Sequence, residues 1–462
     1  MNTRTPVAHA ALFLLLAASA AGAQALDLAQ AWRAAQANDA QVAVSTAAAQ
    51  AGAARRQQAA ALWRPQIQVG ASAGVAGADS ASTGAHFAAP GIPASNGVDF
   101  NTSVNSGTST RWSVSARQPL RSGERSAQTR QLELAADMAE LQAQSAQSEL
   151  MLLTARRYFD LVLAQRHVEL LRQQQVAVNR ALTEAQDRFA LGDKPVTDTH
   201  EARARAMALQ AQVLVAENSM ALAQSVLAQS TGLSLTALAS TQPPGDDGQG
   251  LNAGPDLAQW QALALEHNLA LRLQALQVQS AQQEAAKYGT WAGATLDLVA
   301  QVGQERVNGD GDYGSASNRS GQRVLGVQWS MPVFTGGLRD ARQQEALRLL
   351  DQAQAALEQA RQQTSQQVHS VWLALQTGPA RLAALQAAQA ASTARLDATE
   401  LGRQVGDRTT LDLLQAQNDA SAAALALVTA RTELLLGRLQ LGALATALDD
   451  AQLGVVNAQL AP

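Results

Sequence analysis

Two long stretches of this sequence offer almost nothing to stop a helix, and no ordinary globule can hold the helices they would make. In residues 122–189 neither Pro nor Gly follows Gly123, and Leu134, Met138 and Leu141 recur at helical spacing. As a single helix of ~68 residues this stretch would be ~100 Å long. Residues 338–404 repeat the pattern, with Gly378-Pro379 and Gly402 as the expected breaks. Such helices must pack lengthwise as coiled coils. The composition agrees, since Ala, Leu, Gln, Glu and Arg are good helix formers. Aromatics are only 3% of the chain, so thin helices approach closely on small side chains instead of surrounding a thick core. Each long helix leads to a turn, at Gly192 or Gly406, and then to a shorter return helix, about 198–229 or 410–448.

The chain repeats itself once. Asp27-Leu28-Ala29-Gln30 recurs as Asp256-Leu257-Ala258-Gln259, and Asn38 matches Asn268 after a one-residue slip. Gln118-Pro119-Leu120 matches Met331-Pro332-Val333, and Tyr158-Phe159 falls on Val371-Trp372. Leu191-Gly192-Asp193-Lys194 matches Val405-Gly406-Asp407-Arg408, and Asp198 matches Asp412. Early matches lie ~229 residues apart and later ones ~213, so the first copy holds ~16 extra residues. They fall in the Gly-, Ser-, Thr- and Asn-rich stretch between Gly77 and Ser109. The expected organisation is a first repeat over 24–240, a polar linker over 241–254, a second repeat over 255–448 and a tail over 449–462.

Each copy opens with one helix, about 27–62 in the first, with Asp27 as N-cap. The hydrophobic period then changes to two. Ile67, Val69, Ala71, Ala73 and Val75 alternate with polar or small residues, as do Trp112, Val114 and Ala116. In the second copy Leu296, Leu298, Ala300 and Val302 alternate, and so do Leu325, Val327, Trp329 and Met331. These runs predict strand pairs over about 66–119 and 294–333. Each is about ten residues, the length of a tilted strand crossing a bilayer. A half-buried strand of a soluble sheet alternates as well, so alternation alone leaves both readings open. Four strands cannot close a barrel, and lipid does not tolerate an open edge. In the membrane reading identical chains complete the barrel. Apolar side chains then face lipid, while Arg111, Arg117, Asp297 and Gln328 face a wet lumen.

Residues 1–23 read as a signal peptide: Arg4, a short apolar run over 10–18, and the small-residue site Ala21-Gly22-Ala23. No later segment reads as a transmembrane helix, so a membrane-spanning product must use strands. A net charge of −4 argues against a nucleic-acid binder. The absence of Cys excludes disulfides, thiolate metal sites, Cys nucleophiles and N-terminal lipidation.

With its two-fold repeat, one strand pair per half and the turns Val405-Gly406-Asp407-Arg408-Thr409-Thr410-Leu411-Asp412 and Val196-Thr197-Asp198-Thr199-His200-Glu201-Ala202-Arg203, the chain resembles the TolC family of outer-membrane export channels. The resemblance covers essentially all of the chain after the leader. It implies a mainly α protein with a membrane β-barrel part: a homotrimer with a twelve-stranded barrel set on a long α-helical coiled-coil barrel. It places the protein in the Gram-negative outer membrane, among outer-membrane lipid, and extending into the periplasm. It implies a passive conduit without a cofactor, joined by a periplasmic adaptor to an inner-membrane ABC or proton-driven transporter.

The resemblance also assigns roles at the turns. Arg408 matches a locking Arg of the periplasmic gate, with Thr197 and Asp198 as its partners. Arg403 stands where the family example has a lock Tyr, and a pairing of Arg403 with Asp198 is expected. Asp412 matches an aperture Asp, and Gln415 replaces a second one, which weakens the case for strong cation selectivity. Gly192 and Gly406 are the turn glycines. Plain helix chemistry reads several of these differently. Asp198 and Glu201 have capping-box spacing, Asp412 suits the first turn of a helix, and the glycines are ordinary helix stops.

Enzyme-like motifs fail on context. Gly70-Ala71-Ser72-Ala73-Gly74 matches a nucleophile elbow but lies in a strand pattern with no following helix. Gly309-Asp310-Gly311-Asp312-Tyr313-Gly314 opens no helix, and Tyr313 and Arg319 replace residues that an EF-hand loop needs. His167, His200 and His369 decorate helix surfaces, with proton sensing at His200 as the minor alternative. Trp112, Trp291, Trp329 and Phe334 suit a membrane aromatic belt. Three classes stay open: an outer-membrane conduit, a soluble periplasmic coiled-coil adaptor, and a hydrolase built on Ser72. The conduit accounts for most of the chain. Within it, the first-half turn and the missing lipidation Cys favour type I protein secretion over multidrug or small-molecule efflux.

Overall fold

A computed structural model describes residues 25–193, 195–238, 241–245, 254–289, 291–311 and 314–460. The expected leader, most of the linker, Lys194, Asp312 and Tyr313 lie outside the described residues. The order is α1 (Leu28–Asn38), α2 (Ala40–Ala61), β1 (Gln66–Ala89), β2 (Ile92–Ser122), α3 (Gly123–Ala190) and α4 (Val196–Thr231). The second copy follows as α5 (Leu257–His267), α6 (Leu269–Ala286), β3 (Thr295–Gly311), β4 (Gly314–Ser330), α7 (Leu338–Gln404) and α8 (Thr410–Ala445), and α9 (Asp450–Asn457) closes the chain. Two compact units result, and each draws on both copies: a strand unit, Gln50–Met138 with Ala275–Ala356, and a helical unit made of the rest.

The strand unit holds one antiparallel sheet in the order β1-β2-β3-β4. In β3 and β4 the register runs without a slip from Thr295↔Ser330 to Gly311↔Gly314. Side chains alternate across it. One face carries Ile67, Val69, Val75, Trp112, Leu298, Val302, Leu325, Val327 and Trp329, all exposed. The opposite face carries ion pairs, Arg111–Glu305 at 2.6 Å and Arg117–Asp297 at 3.6 Å. Ion pairs on one face and bare apolar side chains on the other are the inverse of a soluble protein's sheet. They match a strand wall between lipid and a wet lumen. Within the chain β1 and β4 each keep an unpaired edge. The strands are longer than expected, at 24, 31, 17 and 17 residues. The extra length is Gly-, Ser-, Thr- and Asn-rich and lies toward the hairpins, where no apolar alternation marks it. At the helix-connected end Gln118 of β2 donates to the carbonyl of Trp63 (2.7 Å) and Arg125 of α3 to that of Leu62 (3.1 Å), tying the residues just past α2 to both elements.

The helical unit corrects two expectations and adds a helix to the tail. The first helix of each copy is broken, at Asp39 and at Asn268. The cause lies in the matched asparagines. The Asn38 amide donates to the carbonyl of Gln229 (3.3 Å) at the end of α4, and the Asn268 amide donates to that of Leu444 (2.8 Å) at the end of α8. Each asparagine thus satisfies orphan carbonyls of its return helix. Gly232, at φ +69°, ends α4 so close to Asn38 that a Cβ there would lie 2.9 Å from its amide oxygen. Second, α7 runs straight through Gly378-Pro379. Leu434 of α8 fills the space over Gly378, and Leu375 of α7 lies over Gly437, so the glycines admit a close packing of the two helices. The tail, for which no element was expected, contains α9, capped by Asp449. Asp450 accepts from the Trp32 indole (2.9 Å), and the Asn457 amide oxygen from the backbone of Ala29 (3.1 Å).

α8 is also long and apolar enough to cross a membrane, contrary to the reading of no such segment. Its Leu427, Leu434, Leu435, Leu439 and Leu441 are buried in the helical core. That core also holds Leu28, Trp32, Tyr158, Phe159 and Leu227. The Tyr158 hydroxyl donates to the carbonyl of Leu26 (2.9 Å) and accepts from Gln242 (3.0 Å). Burial pushes its phenol well above the usual range. In the second copy the Trp372 indole donates to the carbonyl of Pro255 (3.3 Å), the repeat equivalent of Leu26.

Candidate functional site

The two turns of the helical unit are built alike. At the end of α3, Gly192 donates to the carbonyl of Phe189 (2.9 Å) and Asp193 to that of Arg188 (2.9 Å). At the end of α7, Gly406 donates to Arg403 (3.1 Å) and Asp407 to Gly402 (2.8 Å). This is a Schellman closure, whose left-handed residue is glycine in both copies, Gly192 at φ +78° and Gly406 at φ +85°.

The return helices start differently. α8 has Thr409 as N-cap and a full capping box: the Asp412 backbone donates to the Thr409 hydroxyl (3.1 Å), and the Thr409 backbone donates to the Asp412 carboxylate (3.0 Å). These bonds, from the Thr409 backbone first and its hydroxyl second, hold the Asp412 carboxyl below the usual range. α4 has Pro195 as N-cap and no side-chain cap. Asp198 therefore occupies the third helical position, and the expected Asp198/Glu201 capping box does not form. Proline already fixes the backbone there and the first-turn acid favours the helix dipole.

Arg403 does not meet Asp198. Its guanidinium lies 2.6 Å from Glu184 of α3, and the same carboxylate receives Arg188 at 2.8 Å. Glu184 thus bridges the ends of both long helices. Arg403 is only 24% exposed, and its Nε is buried without a partner among the described residues. Arg408 contacts neither Thr197 nor Asp198 within the chain; its ion partner among the described residues is Asp407, at 4.0 Å. Its aliphatic stem packs on Gly402, where a Cβ would lie 2.8 Å from it. Gln415 donates to Asp419 (2.9 Å), whose other oxygen takes Arg395 of α7 at 2.8 Å. Thr197 is exposed. Asp198, Glu201, Glu184, Arg188, Arg403 and Arg408 line one concavity of about 340 Å³. Sequence reasoning missed Glu184. The only local signal was its spacing four residues before Arg188, which any solvated helix shows.

Long paired helices, strands with an apolar outer face, and duplicated glycine turns define a protein of the outer-membrane efflux class. The chain belongs to the outer membrane efflux protein family, whose profile matches residues 19–233 and 260–447. It is 28% identical over 293 residues to the outer membrane efflux protein BepC of Brucella suis, covering 63% of this chain and 62% of that one. It is 27% identical over 252 residues to the proteases secretion protein PrtF of Dickeya chrysanthemi, covering 54% and 52%. It is 28% identical over 295 residues to the outer membrane protein TolC of Escherichia coli, covering 62% and 58%. The matches thus span a little over half of each relative's length. Among solved structures, the outer membrane protein VceC of Vibrio cholerae superposes with a TM-score of 0.70 at 18% identity, covering 91% of this chain and 97% of that one. The resemblance to the TolC family holds, and the chain is an outer-membrane protein extending into the periplasm.

Proposed function

We propose that the chain is a homotrimeric, passive export channel that joins a periplasmic adaptor and an inner-membrane transporter to the exterior. The observation that carries this reading is the sheet: an exposed apolar face, ion pairs opposite, and two unpaired edges. A soluble adaptor would leave that face in water. Three such sheets, joined edge to edge, make a closed barrel of twelve strands. The expected signal peptide over 1–23 and the two repeats belong to the same reading.

The helix turns form the periplasmic gate. Arg403–Glu184 ties the two long helices within a chain, while Arg408 reaches Thr197 or Asp198 across a subunit boundary. Asp412, ionised at neutral pH like any exposed aspartate, lines the aperture as a ring of three, beside the neutral Gln415. The gate needs no cofactor.

The cargo in this reading is a polypeptide of an ABC-type secretion system. The first-half turn and the likeness to PrtF support it. The second reading, small-molecule efflux, is favoured by the likeness to BepC. Deleting the gene and restoring it separates the two. Loss and recovery of a secreted polypeptide, with drug tolerance unchanged, supports the first. The opposite pattern sinks it.

A further inference from the structure

The lipid face of the sheet changes character partway up. From the helix-connected end it reads Trp329, Val327 and Leu325 on β4, then Arg323, Gly321 and Arg319. On β3 it reads Leu296, Leu298, Ala300 and Val302, then Gln304 and Arg306. Arg306 and Arg319 are direct cross-strand partners, and Arg323 is opposite Val302. All three are exposed. Like charges directly opposite each other destabilise a sheet. Among the described residues none of the three has an acidic partner, and the one hydrogen bond is from Arg306 to its neighbour Asn308, at 3.1 Å. Glu305 is on the opposite face with Arg111. Asp310, the next carboxylate on this face, is ~13 Å farther along β3 at the usual strand rise.

Height gives the triad its meaning. Arg319 lies ten residues from Trp329, ~33 Å along a strand that rises ~3.3 Å per residue. At a barrel tilt of ~40° this becomes ~25 Å, the height of an outer-membrane apolar band. Trp291, Trp329 and Phe334 mark the helix-connected, periplasmic border. The Arg306/Arg319 pair therefore stands at the outer border, and Arg323, two rows lower on its strand, reaches that border by its long stem. The outer leaflet is built of glycolipid whose headgroup carries phosphates. Guanidinium groups bind phosphate oxygens through paired, charge-assisted hydrogen bonds.

We infer that Arg306, Arg319 and Arg323 form a phosphate-binding surface on the lipid face, occupied by phosphorylated glycolipid of the outer leaflet. The inference rests on the outer-membrane location and strand orientation, and is independent of what the channel exports. The bound phosphates supply the counter-charge that the arginine pair lacks in the chain. They also fix how deeply the barrel sits.

The test uses the detergent-purified full-length protein and bisphosphorylated lipid A as probe. Each cation near an anionic headgroup layer multiplies affinity by about fivefold. Replacing all three (Arg306→Gln, Arg319→Gln, Arg323→Gln) should weaken binding by on the order of 100-fold, with circular dichroism and oligomer size unchanged. If the triple variant does not assemble, Arg319→Gln alone should weaken binding about fivefold. Chemically dephosphorylated lipid A should bind the native protein as poorly as bisphosphorylated lipid A binds the triple variant. Equal affinity of native and substituted protein overturns the inference. So does equal binding of dephosphorylated lipid A. Equal binding of phosphatidylglycerol overturns the glycolipid as occupant, and competition by millimolar inorganic phosphate alone marks an adventitious anion site.

Discussion

Glu184→Gln removes the charge that ties α3 to α7 while keeping the side chain's size and its ability to accept a hydrogen bond. The carboxylate sits 2.6 Å from Arg403, and the two side chains are 34% and 24% exposed. A pair so exposed is screened by water and contributes only ~0.5–1 kcal/mol. Three copies in the proposed trimer give ~1.5–3 kcal/mol, about 10- to 150-fold in the closed-to-open ratio. Single-channel recording at 0.1 M salt should show Glu184→Gln opening more often and conducting more. Raising the salt to 1 M cuts the Debye length from ~10 to ~3 Å, so the difference from wild type should shrink. Arg188→Gln is the control. Arg188 contacts the same carboxylate from the same helix and has no ion pair to α7 among the described residues, so its loss should leave the gate closed. The argument fails if a folded Glu184→Gln trimer conducts like wild type at both salt concentrations, or if Arg188→Gln opens it as much.

Three further outcomes follow from the geometry. Leu325→Arg places a charge on the apolar face near mid-membrane and should destabilise the barrel by ~2–4 kcal/mol, while Gln328→Arg on the wet face should cost little; resistance of the assembled barrel to SDS at rising temperature compares them. Asn38→Ala and Asn268→Ala each strand carbonyls at the end of a return helix and should each lower the urea midpoint by an amount worth ~1–2 kcal/mol; a silent twin would break the equivalence of the copies. The Asp412 carboxyl has a folded pKa below its unfolded value. Its capping contribution is therefore complete above the unfolded pKa of about 3.9 and is lost as pH falls through the lower folded value. Amide protection in the first turn of α8, relative to the intrinsic exchange rate at each pH, should fall below about pH 4 in wild type and already be low at pH 7 in Thr409→Ala, whose cap is gone.

Much of this architecture was legible in the sequence because long-range physics wrote it locally. The uninterrupted helical pattern over 122–189 anticipated α3 at Gly123–Ala190, and two-residue alternation named outward residues in all four strands. The repeat even matched Asn38 to Asn268, but the pattern could not say that each leaves its own helix to cap another ~175–190 residues away. The strand ends toward the hairpins were invisible because their Gly-, Ser-, Thr- and Asn-rich sequence carries no apolar alternation. Pro195 took the N-cap expected for Asp198, since an extended backbone fixed by proline needs no side-chain cap. At the two helix turns the glycines announced themselves through their required conformation. Glu184 did not, because its partner Arg403 lies 219 residues on, and only the fold brings them together.

The central claim is a membrane channel with a narrow resting end. Its most direct test is planar-bilayer recording of the detergent-purified wild-type protein. A small, steady conductance from a folded trimer is the predicted result. Protein that stays dispersed in water without detergent and never conducts would contradict it.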